Sequence, residues 1–160
     1  MAVTATPIFV QTPNVGALNA VLSTAMTNTK AFDGTEATGT AMVLVFTAGS
    51  DGARIDQINC RLASTNGQTA SGTSSATVVR FWLNNNSVNT SAANNIFLGE
   101  VAIPATAVTA LGTSALTVYP LSLTTGGLNI PASYRLYAGL TVAAGGTNIG
   151  IAVSAFGGNY

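Results

Sequence analysis

Residues 133–142 read SYRLYAGLTV, with Tyr134, Leu136, Ala138, Leu140 and Val142 alternating strictly with Arg135, Tyr137, Gly139 and Thr141. A period of two places one set on each face of a β-strand and cannot form one apolar stripe on a helix. The pattern recurs. Ile58, Cys60 and Leu62 share a face within residues 53–64, and Ile149, Ile151, Val153 and Ala155 share one within 148–156. Further strands are predicted over 41–47 (AMVLVFT), 76–83 (ATVVRFWL), 95–103 and 114–123. Pro120 marks the last of these as an edge or bulged strand, because proline has no N–H for a ladder. Residues 128–131 lead into the strand at 133.

Turn signals separate the strands. AGSDG at 48–52 contains Asp-Gly, residues 65–75 are rich in Gly, Ser, Thr and Asn, and AAGGT at 143–147 forms another break. Residues 84–94 form an Asn-rich hairpin tip, from which Asn84, Asn85, Asn86 and Asn89 are expected to be exposed. No long helical pattern lies between the strands, so parallel βαβ units are excluded. The expected fold is all-β, an antiparallel β-sandwich of jelly-roll type with about eight strands. Two prolines, Pro7 and Pro13, punctuate the start. Residues 1–38 are expected to be an extended N-terminal arm with one strand at 7–11 and a helical turn or two within 17–26. Residues 39–160 form the sandwich domain.

Charge sets the next limit. Charged residues are only 6% of the chain, five acidic against five basic, where about 25% is usual. The hydrophobic fraction of 48% argues against disorder. A surface covered by Thr, Ser, Asn, Gln and Ala with zero net charge favours association, so a homo-oligomer is expected. Five basic residues cannot supply a nucleic-acid footprint. No apolar run reaches the roughly 20 residues of a membrane span, and residues 1–10 lack the pattern of a signal peptide, so synthesis in a cytoplasm is the default.

Little catalytic equipment is present. There is no histidine, one cysteine and one lysine, Lys30. The commonest general base and metal ligand is therefore missing, and neither a serine nor a cysteine nucleophile has its usual partner. Cys60 is expected to be an inert core residue. Glu100 is expected to pair with Arg80 across a hairpin, and Arg54 with Asp56 along one strand face, as structural ion pairs. Asp51 and the Asp33/Glu36 pair are weak candidates for a cation, and no cofactor or metal is expected. The glycines around 145–150 lack the lysine and helix of a phosphate loop. Trp82 reads as core or interface packing, with sugar stacking as its functional alternative. The sequons at Asn85 and Asn89 matter only in a secreted chain. The chain is expected not to be an enzyme.

Four segments together resemble a known group: MAVTATPIFVQTPN at 1–14, FTAGSDGARIDQI at 46–58, IPASYRLYAGL at 130–140 and AFGGNY at 155–160. They are similar to small virion-associated proteins of tailed bacteriophages and prophages. The resemblance implies a β-sandwich on the outside of the particle, a capsid decoration or cement protein whose partner is the major capsid protein. It further implies a homotrimer at a symmetry axis. Pro7, Ile8, Phe9, Val10 and Pro13 would then be candidate attachment residues. The same resemblance admits a head fibre or a tail component, for which a receptor- or glycan-binding role is the alternative.

Overall fold

The structure, a computed structural model, describes residues 12–16, 21–26, 42–65, 70–87, 92–108, 117–123 and 127–160. It is all-β and sandwich-like, and every strand pairing is antiparallel. The first sheet runs in the order β1 (Thr12–Gly16), β12 (Ile149–Asn159), β4 (Ala53–Ser64) and β10 (Leu128–Ile130). Two short strands join it, β2 (Val21–Leu22) on β12 and β9 (Tyr119–Leu121) on β4. The second sheet runs β3 (Met42–Thr47), β11 (Arg135–Leu140), β6 (Thr77–Asn84) and β7 (Asn95–Ile103). A two-stranded ribbon, β5 (Gly72–Thr73) with β8 (Ala107–Val108), lies apart from both.

The period-two rows meet as the sequence requires. Ile55, Ile58, Cys60 and Leu62 of β4 and Ile149, Ile151, Val153 and Ala155 of β12 form one wall of the core. Val79 and Phe81 of β6, Leu136, Ala138 and Leu140 of β11, and Val101 and Ile103 of β7 form the other. Each large apolar side chain so buried contributes about 1.5–3 kcal/mol. A second buried cluster, Met26, Met42, Trp82 and Tyr137, lies on the opposite face of the second sheet. Tyr137 and Trp82 are cross-strand partners there, in register positions that alternate with inward Leu136 and Phe81.

The chain passes directly between the two sheets at β2–β3, β3–β4, β10–β11 and β11–β12, and by way of the ribbon strands at β4–β6 and β7–β9. In the β11–β12 connection, Gly145 and Gly146 take φ of 69° and 65°, consecutive left-handed residues that glycine adopts without steric cost. Three ladders carry a register shift: β3–β11 at Leu136/Tyr137, β4–β12 at Phe156/Gly157, and β6–β7 at Phe81/Trp82.

Several expectations change. Val21–Leu22 forms a strand on Ala152 and Ile151, not a helical turn, and the Met26 amide donates to the Leu140 carbonyl at 2.8 Å. An open strand edge satisfies these backbone groups, which a one-turn helix leaves largely unpaired. Within the expected arm, Thr12–Gly16 and Val21–Leu22 both join the first sheet, while the strand expected at 7–11 lies outside the described residues. Of residues 114–123, the strand covers Tyr119–Leu121, and Pro120 sits in a short strand bonded to β4, as its missing N–H demands. Leu128–Ile130, read as a lead-in, is a strand on Ile55, Arg54 and Ala53.

Candidate functional site

The outer face of β6 and β7 carries the most developed surface feature. In an unbroken strand, Phe97 and Glu100 would face opposite sides, being three residues apart. The register shift removes that constraint. Trp82 pairs with Phe97, Phe81 with Gly99, and Arg80 with Glu100, so Leu98 is the extra residue. Phe97 and Glu100 therefore share a face with Trp82 and Arg80. Bulges re-aim side chains in this way.

The Arg80 Nε donates to Glu100 Oε2 at 3.0 Å, with both side chains partly exposed. Beside the pair, Phe97 is 51% exposed. Its ring meets the Trp82 ring edge-on, with centroids 6.0 Å apart and planes at 65°. Trp82 itself is only 2% exposed, so the aromatic surface available on this face belongs to Phe97. Arg80, Phe97, Gly99 and Glu100 line a shallow recess of about 390 Å³. An exposed ion pair contributes about 0–1 kcal/mol to stability.

The Asn-rich segment beside this face is arranged differently from its expectation. Asn84 is fully buried, which corrects its assignment to an exposed tip. Its Nδ2 donates to the Asn95 Oδ1 at 2.8 Å and the Asn94 carbonyl at 3.3 Å, and its Oδ1 accepts from the Asn86 amide at 3.0 Å. This buried amide is matched on both its donor and its acceptor side and so closes the hairpin from inside. Asn85 is half-buried: its Nδ2 donates to Asn94 Oδ1 and its Oδ1 accepts from the Ser87 amide. Asn86 is exposed, with a left-handed φ of 69°. Asn89 lies outside the described residues.

A smaller recess, about 150 Å³, opens on the outer face of the first sheet. Asn59, Arg61, Ala152, Ser154 and Phe156 line it. Asn59 pairs across the ladders with Ser154 on one side and Pro120 on the other, and proline offers it no N–H. Asn59 is 6% exposed, and its Oδ1 has no hydrogen-bond partner within the described residues. A buried acceptor left unmatched costs about 1–3 kcal/mol. Phe156, beside it, is 38% exposed.

The remaining candidates fall out as follows. Pro7, Ile8, Phe9 and Val10 lie outside the described residues, as do Lys30, Asp33 and Glu36. Pro13 stands in β1, opposite Gly158. Cys60 is buried, and burial pushes its thiol up to about 12, far from a reactive thiolate. Arg54 and Asp56 form the expected ion pair at 2.7 Å. Asp51 hydrogen-bonds Ser50 in its turn, and no group of three His, Cys, Asp or Glu among the described residues is placed to hold a metal ion. Sequence reasoning missed Phe97 and Asn59. Gly99 within a strand was the available cue to the bulge. Nothing in the pattern marked Asn59.

Comparison with protein-family models, with curated proteins and with solved structures finds no match to this chain.

Proposed function

We propose that this chain is a non-catalytic structural module of a bacteriophage particle, a decoration or cement protein that binds the major capsid protein on the shell surface. In this reading it is made in the bacterial cytoplasm, assembles as a homo-oligomer, with a trimer favoured, and joins the virion without cofactor or nucleic acid. The observation that carries the reading is the outer face of the first sheet. There Phe156, 38% exposed, borders a recess, on a chain with only five acidic and five basic residues. Such a face gains from a neighbour, since covering Phe156 adds about 25 cal/mol for each Å² of apolar area buried. Many weakly bound copies then hold a shell collectively.

The finer expectation for the fold is a jelly roll, a double-sheet sandwich built from two Greek keys. The sandwich-like architecture is the part of that expectation on which the proposal rests.

The test uses shells purified without this protein. Added protein should bind them at saturable stoichiometry and raise their resistance to heat and chelator. Phe156→Asp should abolish binding while leaving the far-ultraviolet circular dichroism unchanged. Shells that neither bind the protein nor gain resistance would sink the reading. The second reading, a receptor- or glycan-binding module of a head fibre or tail, draws on a different surface, the Phe97 face of the second sheet.

A further inference from the structure

We propose that the bulged face of β6 and β7 is a binding site for a neutral saccharide, with the Phe97 ring as the platform on which a pyranose stacks and the Arg80–Glu100 pair as its polar clamp. The inference deepens the glycan-binding reading and does not depend on attachment to a shell.

Three observations converge on it. First, the register shift serves this surface. Without it, Glu100 and Phe97 would lie on opposite faces, and Phe97 could not stand opposite Trp82 while Glu100 stands opposite Arg80. Second, the ring is held but open. Edge-on contact with buried Trp82 at 6.0 Å fixes how Phe97 sits, while half of its surface stays exposed. A preorganised aromatic surface loses little conformational freedom when the C–H face of a sugar ring covers it. Third, the recess is amphipathic on the scale of a sugar. Its volume of about 390 Å³ is lined by one aromatic ring, the Gly99 backbone and one ion pair.

Charge selects the class of ligand. The pair uses Arg80 Nε and Glu100 Oε2. The terminal guanidinium nitrogens and Glu100 Oε1 remain as donors and acceptor on the same rim, which suits hydroxyl groups that donate and accept at once. An anionic ligand would be repelled by Glu100, and a cationic one by Arg80. The pair is neutral as a unit, so a neutral sugar meets neither penalty. Gly99 stands opposite inward Phe81, and a β-carbon there would meet Leu121 Cδ1 of the core at 3.1 Å, so only its backbone borders the recess.

The site reports on itself, because Trp82 is the only tryptophan in the chain and touches Phe97. The probes are neutral hexaoses built on glucose, mannose, galactose and N-acetylglucosamine, titrated into the full chain while Trp82 emission is followed. At least one should bind saturably in the micromolar to millimolar range. Phe97→Ala should weaken that binding at least tenfold, Glu100→Gln at least threefold, and Phe97→Tyr should retain it. Each variant is to keep the wild-type circular dichroism spectrum. No binding of any hexaose, or binding indifferent to Phe97→Ala, overturns the proposal. The same Phe97→Ala protein should still bind shells, so loss of sugar binding and loss of shell binding are read separately.

Discussion

Asn84 and Asn95 stand opposite each other at the end of the β6–β7 ladder, and the Asn84 Nδ2 donates to the Asn95 Oδ1 at 2.8 Å. The same Asn84 side chain accepts from the Asn86 amide, so one buried amide ties both strands to the turn between them. Asn84→Ala should therefore destabilise the protein by about 1–3 kcal/mol in urea denaturation. Asn86→Gly, at the exposed left-handed position, should change stability by less than about 1 kcal/mol. Equal effects at the two positions would show that the hairpin is not closed from Asn84.

Gly139 faces the Met pair of the outer cluster. A β-carbon there would run into the sulfur atoms of Met42 and Met26. Both methionines are buried, so neither can simply swing into solvent. Gly139→Ala is expected to cost about 1–3 kcal/mol by overpacking. In a double-mutant cycle with Met42→Ala, part of that cost should be recovered, giving a coupling of about 0.5–3 kcal/mol. Strictly additive effects would contradict the packing described.

Cys60 should be silent toward thiol reagents at pH 8 until the protein unfolds, because burial raises its pKa to about 12. The sign of the linked pH effect follows. The folded chain holds the proton longer than the unfolded chain, whose thiol titrates near 9.0. The contribution is full below pH 9 and declines as pH rises toward 12, by at most about 1.4 kcal/mol per pH unit. Compared with Cys60→Ala, the wild type should lose stability more steeply across pH 9–11. Parallel slopes would argue against a buried thiol.

Arg80 and Glu100 make an exposed pair, and Glu100→Gln should shift the unfolding midpoint little, by less than about 1 kcal/mol. A larger loss would mean that the pair serves the fold more than a ligand.

Strand periodicity and the pairing of β6 with β7 were readable from the chain alone. Arg80 opposite Glu100, buried Cys60 and the edge position of Pro120 all followed from alternation and residue chemistry. The candidate surface was less readable, and for a physical reason. Period two assigns Phe97 and Gly99 to one face, so the residue that a bulge re-aims is misplaced by the rule that finds the strand. Asn84 was misread because an asparagine run looks polar, while burial depends on what one member meets across the hairpin. Val21–Leu22 is too short to carry a pattern, and its strand state is conferred by the edge of β12.

The placement of β12 has a kinetic consequence. Residues 149–159 lie at the centre of the first sheet, with β4 on one side and β1 and β2 on the other. During synthesis, β1, β2 and β4 all emerge before the strand that joins them. Until residue 159 is available, β4 lacks its longest neighbour, and its row of Ile55, Ile58, Cys60 and Leu62 lacks half of its wall. Contacts spanning most of the chain close last and slowly. A nascent chain in that state exposes a strand edge able to pair with another copy. The delay before β12 arrives therefore sets how long that edge stays open to another copy.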